Sequence, residues 1–147
     1  MEHLAILSKK KKLLEKIISG SKTIESRWYK SKKAPFNTLS EGDLIYFKES
    51  GDKVIAKAVA DKIIIFNELT PEKIKDIILE YGDRIGIDLS YAKEINDKKM
   101  CMLVFLKNVE KIEPFEINKS GFGIMSAWIS VESIPKIKKI DIPSQIN

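Results

Sequence analysis

The sequence predicts an α+β fold: a small, closed or partly closed mixed β-barrel with helices at its ends. Three observations carry this. Short β-branched runs recur along the chain, an amphipathic helix follows the first of them at once, and a helical insertion separates a tight hairpin from the later strands. With 147 residues, 44% hydrophobic and 32% charged, one domain spanning residues 1–147 is expected, with a core that needs neither metal nor disulfides.

His3 to Leu7 reads as a short, largely buried strand. Lys9 to Ser19 then places Leu13, Leu14, Ile17 and Ile18 at helical spacing, with Ser8 as N-cap and Gly20 as the stop. Lys9, Lys10 and Lys12 belong to a four-lysine run in the first turn, where the helix dipole disfavours cations, so a binding role explains them better than helix stability does. Lys22 to Trp28 reads as a strand with Thr23, Glu25 and Arg27 on one face and Lys22, Ile24, Ser26 and Trp28 on the other. A basic loop follows, from Tyr29 to Glu41, carrying Lys30, Lys32 and Lys33.

Glu41-Gly42-Asp43 turns into the strand Leu44 to Lys48, and Ser50-Gly51-Asp52 returns the chain into Val54 to Phe66, which makes a hairpin. Thr70-Pro71-Glu72 starts a helix with the stripe Ile74, Ile77, Ile78 and Tyr81, expected to end at Gly82. A short helix near Leu89 to Ile95 and strands at Met100 to Val109 and Ala127 to Val131 complete the reading. Residues 135–147, Ile-rich but interrupted by Pro143, read as an edge strand or a loose tail.

The formal charge of +5 is unevenly placed. Residues 1–33 hold nine Lys and one Arg against three Glu, while the remaining 114 are slightly acidic. That asymmetry suits a phosphate-bearing partner or, equally, a solvated lysine face. Cys101, alone among Met100, Met102, Leu103 and Val104, reads as a small core hydrophobe. Neither a metal nor a cofactor is expected, because His3 is the only histidine. No apolar run spans a bilayer and no signal peptide opens the chain, so the expectation is a cytoplasmic protein without a membrane partner. His3 itself reads as a barrel-end residue, since no carboxylate is placed beside it in sequence.

A helix, then Gly20-x-Lys22-Thr23-x-Glu25-x-Arg27, then Glu41-Gly42-Asp43 opening a strand, resembles the ASCH domain of the PUA-like superfamily. The long strand Val54 to Phe66 and the Leu69-Thr70-Pro71-Glu72 helix start extend the similarity over roughly the first 110 residues. The resemblance implies a PUA-like β-barrel with a cleft beside the early helix, and roles in RNA binding, RNA processing or coactivation. Some relatives are amidohydrolases acting on acetylated cytidine. Their catalytic Lys is matched by Lys22, but their catalytic Thr corresponds to Glu25, a carboxylate that cannot replace an activated hydroxyl.

From the residues themselves, Lys22 could hold a phosphate or act as a base, Glu25 could accept from a base edge, and Arg27 offers a planar donor fork; a structural salt bridge is the plainer reading. Trp28, beside a lysine-bearing loop, is a stacking candidate or a barrel tryptophan. Ser126 and Trp128 follow a glycine-bearing segment that could wall the opposite side of the cleft, with core packing the stronger reading for Trp128. The leading expectation is a module that binds RNA, single-stranded or structured, or a modified nucleoside. A small hydrolase on such a nucleoside or on RNA, using Lys22 and Glu25, and a protein-interaction module are the alternatives.

Overall fold

The computed structural model describes residues 1–33, 35–123 and 126–140. Its strands are β1 (Glu2–Leu7), β2 (Ile24–Tyr29), β3 (Leu44–Glu49), β4 (Val54–Phe66), β5 (Met100–Phe115) and β6 (Trp128–Val131). Its helices are α1 (Leu13–Ser19), α2 (Pro71–Ile85) and the short α3 (Ala92–Ile95), with single 3-10 turns at Lys9–Lys11, Leu89–Tyr91 and Pro135–Ile137. The strands form one mixed sheet in the order β2-β5-β4-β3-β1-β6, in which β1 runs parallel to β3 and every other pairing is antiparallel. Register shifts within the long β4–β5 ribbon add local twist and bend, so the sheet curls into a half-barrel.

Alternation along the strands splits the apolar side chains between the two faces of this curl. The inner face packs Ala5, Phe47, Ala58, Met102 and Val104 against Leu14 and Ile17 of α1. The outer face of β2 and β5 packs Ile24, Trp28, Cys101 and Leu103 against Ile74, Ile77 and Ile78 of α2. A third cluster, with Leu4, Tyr46, Ile129 and Ile134, covers the outer face near β1 and β6. Cys101 is fully buried, and burial pushes its thiol pKa up, as expected of a core hydrophobe. Among the described residues no helix is long and apolar enough to cross a membrane.

Several boundaries differ from the sequence reading. The lysine run does not begin α1: Lys9–Lys11 form a separate 3-10 turn capped by the Ser8 hydroxyl, and Lys12 takes a left-handed conformation (φ 53°) before the α-helix starts at Leu13. The chain must turn there so that Leu14 and Ile17 reach the barrel interior. The strand β2 starts at Ile24, because the Thr23 amide is already committed to the Arg84 carbonyl at the end of α2. The ribbon strand β5 extends to Phe115, well past Val109, since β4 pairs with it throughout. Of the C-terminal stretch, Pro135–Ile137 is a 3-10 turn and Lys138 bridges Ile117, while residues 141–147 lie outside the described ones.

The helix α2 passes through Gly82 and stops at Gly86, whose φ of 87° suits glycine. Gly82 has a different reason to be glycine: a Cβ there would stand 2.8 Å from the Ile87 carbonyl oxygen and 3.3 Å from Ile78. Gly82→Ala is therefore expected to lower stability by about 1–3 kcal/mol through overpacking. That outweighs the gain of about 1 kcal/mol in helix propensity, and urea denaturation would read the balance.

Candidate ligand-binding cleft

The half-barrel leaves β2 and β6 as its two edges, and a cleft of about 420 Å³ opens between β2, the start of α1 and the segment 85–98. Lys22, Glu25, Arg27, Trp28, Tyr29 and Tyr91 are among its walls. Local chemistry fixes the first of these. Gly20 ends α1 in the left-handed region (φ 88°), the Lys22 amide returns to the Lys16 carbonyl, and the Thr23 amide binds the Arg84 carbonyl, so Lys22 is pinned between the ends of two helices.

The alternation argument placed Lys22 on the opposite face from Glu25, yet its ammonium reaches Glu25 because the residue precedes the strand and its long stem folds back. Lys22 Nζ donates to the carbonyls of Ile24 (2.7 Å) and Ile85 (2.7 Å) and lies 3.3 Å from Glu25 Oε1. Ile85 ends α2, where orphan carbonyls and the negative end of the dipole favour a cation. Burial lowers the Lys22 pKa, and Glu25 offsets part of that. Three acceptors around Nζ match the three N–H groups of an ammonium and leave no lone pair for proton abstraction. Lys22 thus clamps the strand start to the end of α2.

Glu25 sits 2% exposed between two cations. Arg27 Nη2 donates to its Oε2 at 2.8 Å, and the Ser26 amide donates to Oε1 at 3.2 Å. Burial alone would raise its pKa, but Arg27 and then Lys22 outweigh that and hold the carboxyl below its ordinary value. An ionised carboxylate gripped in this way has no proton to donate. The trio carries one net positive charge into the cleft wall. Arg27 also reaches across the sheet gap to the Ala127 carbonyl (3.4 Å), and its guanidinium lies over the Trp128 ring at 5.2 Å. Its Nε is buried without a hydrogen-bond partner among the described residues.

The remaining sequence candidates are dispersed. Thr23 is exposed and does not line the cleft, and neither do Lys9, Lys10 and Lys12. Lys9 pairs with Asp52 and Lys30 with Asp97; Lys32 is exposed, and Lys33 lies over Tyr29. Trp28 lines the cleft but is 7% exposed, packed under α2 with Nε1 bound to the Ser26 hydroxyl, so little of its ring is free for stacking. Ser126 bonds the Trp128 carbonyl, and Trp128 is buried in the inner core. Two further residues line the cleft: Lys11, the one member of the lysine run to do so, and Tyr91, which sequence reasoning passed over. Lys11 Nζ lies 3.7 Å from the centre of the Tyr91 ring and 2.9 Å from Glu94 Oε2. Tyr91 carried a signal that could have been used: an aromatic residue in a helical insertion next to the polar Ser90.

His3 does have a carboxylate partner, supplied from 40 residues away. It is fully buried, with Nε2 2.8 Å from Asp43 Oδ2 and Nδ1 2.8 Å from the Ser130 hydroxyl, and it accepts from Trp128 Nε1 at 3.2 Å. The indole N–H can only donate, so Nδ1 is an acceptor and Nε2–H faces Asp43. Ser130 is bonded in turn to Thr38 and lines neither the cleft nor its neighbouring cavity. The Ser130, His3 and Asp43 chain therefore braces the barrel.

Comparison with solved structures finds the ASCH protein from Zymomonas mobilis, with a TM-score of 0.67 at 15% identity over 94% of this chain and 96% of that one. The chain has the ASCH fold. Forms of the same protein carrying a Tyr-to-Phe and a Ser-to-Ala substitution give TM-scores of 0.68 at 15% and 16% identity. They cover 94% and 92% of this chain and 99% and 91% of theirs. No family model matches the sequence, and no curated protein does. The likeness in fold extends well past residue 110.

Proposed function

We propose that this ASCH-fold chain is a binding module whose cleft takes one nucleotide unit of RNA. The observation that supports it most is the cleft itself: a space of nucleoside size whose wall is a fixed, buried cluster with one surplus positive charge. A buried donor without a partner costs about 1–3 kcal/mol. An acceptor on a base or phosphate that reached Arg27 Nε would offset that cost. Tyr91 and Tyr29 supply the aromatic surface that Trp28 does not.

Catalysis by Lys22 and Glu25 loses ground in this geometry, since the lysine has three acceptors and the glutamate two cationic partners. A protein-interaction role has little support either, because the large exposed apolar side chains Ile65, Leu79 and Leu89 stand on separate elements.

The test is binding of single-stranded RNA oligonucleotides and modified nucleosides, acetylated cytidine included, by the wild type and by Arg27→Gln. The expected loss in the variant is about tenfold or more. Salt dependence should be modest: the cleft walls carry a surplus of two cations, so the log–log slope is expected near about −1.4. Turnover by the wild type that Arg27→Gln abolishes would turn the reading to the hydrolase, and undetectable binding would end it.

A further inference from the structure

A second cavity, of about 620 Å³, adjoins the cleft, and Lys11, Ile87, Tyr91 and Glu94 line both. The partition between them is therefore a single aromatic ring with an ion pair beside it. The pair is weak: Lys11 and Glu94 are 42% and 60% exposed, which places it among surface salt bridges worth about 0–1 kcal/mol. A ligand base can displace the Lys11 ammonium from the face of Tyr91 at little cost, and the released lysine remains at the mouth, where a phosphate would pass.

The two compartments differ in charge. The first is walled by the net-positive trio, whereas Asp83 and Asp88, with Lys16 as the one added cation, line only the second, and its lining carries one surplus negative charge. Asp88 is occupied, accepting from the amide and hydroxyl of Ser90. Asp83 is exposed on α2 and has no ion pair or hydrogen bond through its side chain among the described residues. A free carboxylate in a pocket next to a cationic one repels phosphate and suits a donor. In a nucleotide the neutral donors on the base edge are the exocyclic amines of cytosine, adenine and guanine and the ring N–H groups of guanine and uracil; of the four bases only uracil lacks an exocyclic amine, the donor that projects beyond the ring.

We propose that the second cavity is the subsite for the neighbouring nucleotide of a single strand, with Tyr91 stacked on a base between the two compartments and Asp83 accepting from an exocyclic amine. This rests on the reading of the first cleft as a nucleotide site and deepens it: the ligand is a strand of at least two nucleotides, and the second position selects an amino-bearing base. Splayed bases on either side of an aromatic ring are an ordinary way to hold single-stranded RNA, and each stacked base contributes about 1–3 kcal/mol.

The experiment is a length series of 5′-phosphorylated oligocytidylates and oligouridylates, from one to four nucleotides, titrated by calorimetry or anisotropy. In the wild type, affinity is expected to rise about tenfold between the mononucleotide and the dinucleotide of cytidine, and less in the uridine series. In Tyr91→Leu the ratio of dinucleotide to mononucleotide affinity falls to near one, while Tyr91→Phe keeps it. In Asp83→Ala, an exposed substitution that removes the acceptor, the preference for the cytidine dinucleotide disappears. A flat length series in a wild type that binds mononucleotide overturns the second subsite and leaves the first. A step that survives in Tyr91→Leu, or a cytidine preference that survives in Asp83→Ala, overturns the assignment of that residue and with it the proposal. Failure of every member to bind overturns the cleft reading as well.

Discussion

Replacing Glu25 with Ala is expected to cost about 3–5 kcal/mol of folding stability, the largest effect of any single change in the cleft wall. The reason is the accounting of charge at a site from which water is excluded. Among the described residues Glu25 is the only anion touching the buried ammonium of Lys22 and the buried guanidinium of Arg27, and its removal leaves two cations facing each other. A pair of changes that restores neutrality, Glu25→Gln with Lys22→Met, should recover part of the loss even though it removes more hydrogen bonds. Denaturant unfolding of the single and double variants reads both quantities. The carboxyl also carries a pH signature. Its folded pKa lies below the ordinary 4.5, so its contribution is complete above 4.5 and is lost as pH falls through the folded value.

The second large effect belongs to His3 and shows at higher pH. Burial lowers its pKa from the ordinary 6.5, opposed first by the hydrogen bond and charge of Asp43; the amino terminus lowers it further and Glu2 raises it. The hydrogen bonds demand the neutral ring, because a protonated Nδ1 would meet the Trp128 N–H head on. The unfolded chain takes up a proton near 6.5 and the folded one does not. Stability is thus whole above 6.5 and declines as pH drops toward the folded value, by up to about 1.4 kcal/mol per pH unit. Glu25 and Asp43 begin to act only below their ordinary 4.5 and 3.8, so the range from 6.5 to 4.5 isolates the histidine. Thermal or urea midpoints across that range should slope in the wild type and flatten in His3→Gln. A wild type with no slope there would contradict the assignment of the neutral tautomer.

What the sequence made legible was local. The hairpin and the start of α2 follow from turn chemistry within a few residues, and Thr70 and Pro71 do cap and open that helix. The cluster of Lys22, Glu25 and Arg27 was legible for the same reason, as close spacing around one strand. Features decided by distant packing were not. Gly82 looks like a stop until the Ile87 carbonyl is placed against it. The partners of His3 lie 40 and 127 residues away. The lysine run looked like a phosphate grip, but the turn at Lys12 sends its members in different directions and leaves Lys11 alone at the cleft. Tyr91 takes its meaning from lying between two cavities, which no periodicity reveals.

The place of β1 between β3 and β6 has a bearing on how this chain comes to exist. The strand β1 must wait for residues 128–131 before its second edge is covered. Its pairing with β3 is parallel and spans some forty positions, so neither neighbour is available to it early. Closing such long loops is slow compared with forming the β3–β4 hairpin or α2. On the ribosome, the nascent chain would therefore hold an apolar, unpaired edge until residues 128–131 have emerged, a state in which pairing with another chain competes with self-completion. The contact of Arg27 with Ala127 is made in the same late step, so the cleft wall is complete only when the sheet is.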